Sequence, residues 1–216
     1  LGRQHVRGVS LVLGKAVAIS TCALTCQNDV MDAFRRHVLD VAAFIWGVAE
    51  ATLFFFVPDV LLSYVALKRG VKAAVRASVI AAVGAAAGGV IMYLWSTSDA
   101  AAAREAVLAV PSISEAMEQR AHVTMAENWF LATVLGPLSS TPFKVFAILA
   151  PAAGAPLPAF ALASVAARLP RFLIVSIGVS LIGRILGRWL SERQLLWVLI
   201  GAWLLFYAVF FALMPN

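Results

Sequence analysis

The chain has 216 residues, of which 62% are hydrophobic and 13% charged, with a mean hydropathy of +0.91 and a formal charge of +6. Soluble domains carry about a quarter charged residues, so a soluble globular domain is excluded, and the length suits a single polytopic membrane domain. Positive charge on this scale would suggest nucleic acid in a soluble protein, but here the basic residues cluster beside apolar segments, where the positive-inside bias and anionic headgroups account for them, and no nucleic-acid partner is expected.

Residues 1–30 hold a moderately apolar run, Val9 to Cys26, behind Arg3 and Arg7, in the manner of a signal-peptide core. Gly14 and Lys15 interrupt it and Gln27, Asn28 and Asp29 end it. The segment is expected to be weakly structured or an extra N-terminal piece, with a single membrane domain over 31–216. Cys22 and Cys26 have no His or Cys nearby and read as small apolar fillers, so no metal site is expected.

Ala42 to Leu67 is apolar and long enough to enter a bilayer, yet holds Glu50, Pro58 and Asp59. A crossing needs about 20 apolar residues. Pro58 removes an amide donor and clashes with the preceding turn, leaving two halves of roughly 20–25 Å, too short to cross. Arg35, Arg36 and His37 precede the stretch, and Lys68, Arg69, Lys72 and Arg76 follow it. Basic flanks at both ends place both on one side, which predicts a re-entrant hairpin with Pro58 and Asp59 at its deepest point. The alternative is a spanning helix kinked at Pro58.

Ala77 to Ser96 is a clean span with Gly84 and Gly88 in a G-x-x-x-G pair that permits close helix contact, and Tyr93 and Trp95 fit an interfacial belt. Residues 97–128 turn acidic and helical, as expected outside the membrane, with Ile113, Met117, Val123 and Met125 able to lie along its surface. Trp129 to Ala153 is then broken again, at Gly136-Pro137 and at Ser139-Ser140-Thr141-Pro142, with Glu127 before it and Lys144 after the break. One span between two such copies reverses their orientation, which is the pattern of an inverted repeat with a site near the midplane. After a Pro151–Pro158 linker, residues 159–187 form a further apolar segment interrupted by Arg168, Pro170 and Arg171, with Gly183 and Gly187 as a second G-x-x-x-G. Gln194 to Met214 is an uninterrupted span read as scaffold. The fold expected is an all-α polytopic membrane protein with two re-entrant hairpins in an inverted repeat and about three spanning helices.

Ionisable groups at membrane depth cost about 2.5–3.5 kcal/mol each on insertion scales, so function is their default reading. Glu50 can carry a proton if desolvation raises its pKa, or it can pair with an arginine and hold the repeats together. Asp59 can cap the second half-helix or titrate. Ser139, Ser140 and Thr141, beside Pro142, can cap the second hairpin in the same way. Two half-helix N-termini in one cavity favour an anion, and Lys144, Arg168 and Arg171 add positive charge, with arginine suited to phosphate. The two arginines can instead snorkel beside Pro170. No Walker loop, dinucleotide glycines, G-x-S-x-G or paired-His motif is present. An enzyme, a cofactor and a metal are not expected.

Thr141-Pro142-Phe143-Lys144-Val145-Phe146, with Leu162-Ala163-Ser164 and Arg168-x-x-Arg171-Phe172, resembles the second half of the DedA/VTT family of SNARE-associated-type membrane proteins, nearest its small bacterial YqaA-like branch. Glu50 before Pro58-Asp59 resembles the family's first motif, and the likeness covers roughly 42–187. The chain departs from the family at Ala150-Pro151, where an Ala-Gly pair is usual, and at Ala167, where a glycine is usual. The resemblance implies paired re-entrant hairpins in a bacterial inner membrane and movement of a lipid phosphate or phospholipid between leaflets, coupled to protons. It also implies dependence on the acidic and arginine positions. The partners expected are lipids with anionic headgroups and protons, and whether the chain forms a homo-oligomer stays open. A proton-coupled exporter of small cations and a non-transporting scaffold or assembly factor are the competing readings.

Overall fold

Apolar runs interrupted by proline and glycine fold as helices that stop or turn at those residues. The structure is a computed structural model and describes residues 31, 33–54, 56–111, 113–138 and 141–213. The elements are α1 (33–51), α2 (Asp59–Ser98), α3 (Ala100–Leu108), α4 (Glu115–Leu135), a 3-10 turn at Gly136–Leu138, α5 (Phe143–Leu149), α6 (Leu157–Leu186) and α7 (Glu192–Leu213), with no strand among the described residues. Of these, α2, α6 and α7 are long and apolar enough to cross a membrane. The all-helical class and the three spans agree with the sequence. Residues 1–30, with their cysteine pair, and Ser139 and Ser140 lie outside the described residues. The chain divides into two units, Leu1–Leu39 and Asp40–Asn216. The described part of the first is the opening of α1, and every contact below lies within the second.

At Gly70 α2 changes direction, with φ 76° and ψ −177°, a conformation open to glycine and closed to most other residues. The neighbours of its two arms, 59–69 and 71–98, show that they run in opposite senses. Along α6, Asp59 meets Arg171 and Leu67 meets Gly183, so the first arm runs with α6. Ser78 meets Ser176, and Gly89 lies over Ser164, so the second arm runs against it. The second arm also runs alongside α1: Asp40 pairs with Arg76, and Val48 packs on Gly88. Between 52 and 70 the chain therefore returns from the far end of α1 to the level of Asp40.

Glycines make that α1–α2 approach possible. A Cβ on Gly84 would overlap the Phe44 carbonyl, one on Gly88 would lie 2.6 Å from the Val48 oxygen, and one on Gly47 would overlap the Ala81 carbonyl. The predicted Gly84/Gly88 pair is thus used as expected, and Gly47 completes it from the facing helix. Gly183 packs on Leu67, but Gly187 lies past the end of α6 as its C-cap, so the second predicted pair does not act as one contact face.

The order of elements repeats. A helix, a proline-bearing break, a short helix, a glycine at positive φ and a long helix occur in α1–α2 and again in α4–α6, with Gly154 (φ 72°) in the place of Gly70. Pro58 is the N-cap residue of α2 and Pro142 that of α5. In the predicted linker, Pro156 caps α6 and Pro158 sits in its first turn, where the missing amide costs least. Within the 159–187 segment, α6 runs unbroken through Pro170 for 30 residues. One lost hydrogen bond, about 3 kcal/mol in a helix interior, does not break a helix held against α2 on both sides of the proline.

The polar segment 97–128 folds onto the protein rather than along a surface. Ile113 and Met125 are buried with Val107, Val110 and Ala121 against Met92 and Phe146, whereas Val123 is exposed. Arg104 pairs with Glu118 at 2.6 Å on its outer side. Asn128 breaks α4 (φ −158°, ψ 97°) and its side chain accepts the Leu131 amide, capping the final turns. Tyr93 donates to the Ala155 carbonyl at 2.8 Å, and Ser96 to that of Ile148 at 2.6 Å, so this end of α2 ties down both ends of the 150–156 turn.

Gly84→Ala must push α1 from α2, and overpacking of this kind costs about 1–3 kcal/mol. Gly178, with nothing within 4 Å of an added Cβ, is the control in the same membrane setting. Thermal unfolding in detergent is expected to show a lowered midpoint for Gly84→Ala and an unchanged or raised one for Gly178→Ala.

Candidate functional site

The breaks at 52–58 and 136–142 leave backbone groups without helical partners, and buried backbone groups must find others. The first break finds them in side chains distant in sequence. Lys144 donates to the Phe54 carbonyl at 2.9 Å, the Trp46 indole to that of Phe56 at 3.0 Å, and the Val57 amide donates to the Tyr207 hydroxyl at 3.2 Å. Four segments thus converge on one turn: the end of α1, the start of α2, α5 and α7.

Charged groups line the same place. Arg168, near the middle of α6, donates to Glu50 at 2.6 Å, with both residues buried. One turn on, Arg171 donates to Asp59 at 2.8 Å; Asp59 is 1% exposed and Arg171 half-buried. The Arg168 guanidinium also lies 4.8 Å from the centre of the Phe143 ring, a cation–π contact. Lys144 is 3% exposed and within electrostatic reach of Glu50 and Arg168, as Asp59 is of Glu50 and both arginines. Two carboxylates and three cations form one cluster. Each carboxylate uses one oxygen on its arginine, and Glu50 Oε2, Asp59 Oδ1 and Arg168 Nε are buried without a hydrogen-bond partner among the described residues.

The sequence candidates divide as follows. Glu50, Asp59, Lys144, Arg168 and Arg171 come together, and Pro58 and Pro142 stand at the starts of the two short helical arms. Asp59 does not cap: it is the first residue of α2, Pro58 holds the cap position, and no side chain caps the helix. Its carboxylate is turned to Arg171 because an unpaired cation in that position would cost more than a free amide. Thr141 is buried, and α5 likewise has no side-chain cap. Arg168 and Arg171 do not snorkel; both point to acids across the helix interface. Glu127, the counterpart of Glu50 in the repeat pattern, is exposed, so the second half brings cations and no carboxylate. Trp46, Phe143 and Tyr207 were not singled out from the sequence. The proline breaks signal that some side chain must satisfy the turns, but the pattern cannot say which.

Comparisons of the chain with protein-family models, with curated proteins and with solved structures give no match.

Removing one member of a buried ion pair costs about 3–5 kcal/mol, because the other is left charged and alone, while replacing both can be neutral. Arg168→Met is therefore expected to lower the unfolding midpoint strongly, and Glu50→Gln combined with Arg168→Met to recover most of the loss. Equal loss in the single and double variants would show that the two side chains are not coupled.

Proposed function

We propose that this chain is a membrane transporter of the DedA/VTT type that moves a lipid phosphate or phospholipid between leaflets, coupled to protons, in a bacterial inner membrane. The observation that carries the reading is the pair of arginines near the middle of α6, Arg168 buried and Arg171 half-buried, each held by a carboxylate from the opposite half. Glu50 and Asp59 each accept from a guanidinium that a phosphate would also engage. Protonation of a carboxylate weakens its hold on the arginine, and the freed guanidinium can then donate to a pair of phosphate oxygens. Proton uptake and anion binding thereby go together at one site, and proton release returns the carboxylate to the arginine. The return of the chain between 52 and 70, set between basic flanks, supports a re-entrant hairpin, and the second proline break supports its inverted partner.

The pairing of both carboxylates with arginines also favours a second reading, a scaffold in which the ion pairs only join the halves. A small-cation exporter is less well supported, since both carboxylates are already occupied by arginine.

Reconstitution with fluorescent lipids separates these. Wild-type protein is expected to exchange lipid between leaflets and to respond to a pH gradient. Arg171→Lys is expected to keep only part of the rate, since an ammonium lacks the planar fork, and Glu50→Gln to remove the response to the gradient. No lipid exchange by folded wild-type protein ends the transport reading. The hairpin has its own test. Asp40→Cys and Arg76→Cys are expected to react with an impermeant reagent from the same side of the membrane, and reaction from opposite sides excludes re-entry.

A further inference from the structure

The final helix, α7, has no buried residue, yet it touches the chain at both ends of the 59–69 arm. Lys68 pairs with Glu192 at 3.0 Å at one end, and Tyr207 meets Val57 at the other. At the second point the Phe56 and Tyr207 rings stand edge to face, 5.1 Å between centres. The Val57 amide is the last backbone donor before Pro58, which has none, and Asp59 follows directly. The Tyr207 hydroxyl is within electrostatic reach of Asp59, Arg171 and Glu50.

We propose that Tyr207 is a positioning residue of the charged site: by accepting the Val57 amide it fixes the turn that aims Asp59 at Arg171. Its relevance to transport rests on the reading above, but the positioning itself does not. The physical reason is the small number of anchors. The Thr52 and Phe54 amides close back onto Val48 and Ala49 at the end of α1; beyond them side chains hold the turn, and in a membrane no solvent replaces a lost partner. Phe54 and Phe56 are held by their carbonyls from α5 and α1, and Val57 is held by its amide from α7. Without the third tie, the two residues that lead into α2 can rotate about the bonds flanking Val57, and the Asp59 carboxylate moves with them. A helix read from sequence as mere scaffold thus sets the geometry of the site through one hydroxyl.

Tyr207→Phe tests this, because it leaves the ring on Phe56 and removes only the oxygen. The full chain is studied in lipid nanodiscs, with the Val57 amide and the Asp59 carboxyl followed by isotope-edited magnetic resonance. The expected result is roughly tenfold faster exchange of the Val57 amide, together with a displaced Asp59 carboxyl resonance and an unchanged helical content. The Asp59 signal is the readout that a purely structural tie would leave alone. A Val57 amide that exchanges as in wild type overturns the proposal, and so does an altered Val57 with an Asp59 resonance that stays in place. Should Tyr207→Phe lose its fold, Glu192→Gln, which loosens α7 at its other end, serves as the control. A similar displacement of Asp59 there would assign the effect to docking of α7 and overturn the role of the hydroxyl. Neither readout depends on lipid movement, so failure of the transport reading leaves this result standing, and the reverse.

Discussion

The Arg168–Glu50 pair is the interaction on which the rest of the structure depends. A guanidinium and a carboxylate inside an apolar helical protein are each costly alone, and their attraction offsets that cost only at hydrogen-bond distance. That requirement fixes the end of α1 against the middle of α6. Arg171 and Asp59, one helical turn away, repeat the constraint for the start of α2. Together the two pairs set the register in which the halves of the protein meet, and the polar groups left over lie between them.

Proline and glycine create the conditions for that meeting. Pro58 and Pro142 start new helices inside apolar segments, and Gly70 and Gly154 turn the chain where a side chain would be strained. The unsatisfied backbone that results must be answered from elsewhere in the protein, and Trp46, Lys144 and Tyr207 answer it. The same Lys144 that ties the first turn comes from the short helix of the second half, so the two breaks are physically linked. Close contact between α1 and α2 in turn depends on Gly47, Gly84 and Gly88, which leave no room for a Cβ.

The two halves share an order of elements but not a chemistry. The first brings the acids and the second the cations. Such an arrangement joins unlike halves by attraction and leaves each carboxylate with one oxygen unused. It also places the polar centre at the faces where the halves meet, the position at which a change in their relation would be felt first.

The sequence by itself determined the helical class, the three long apolar spans and the two proline-bearing breaks, because these follow from hydropathy and from proline and glycine alone, while the turn at Gly70 and the break at Asn128 came only with the structure. It also picked out Glu50, Asp59, Lys144, Arg168 and Arg171, since a charge in an apolar run is conspicuous without any coordinates. What it could not determine was partnership. Whether Asp59 caps a helix or meets Arg171, and whether Glu127 matches Glu50, depends on which faces turn inward, and a pattern of residue types does not encode that. The same holds at Pro170: a proline's local cost is visible in sequence, while the packing on α2 that outweighs it is not. Tyr207 was invisible because a tyrosine in an aromatic-rich span looks like any other lipid-facing ring. Only the tertiary structure brings its hydroxyl to the Val57 amide.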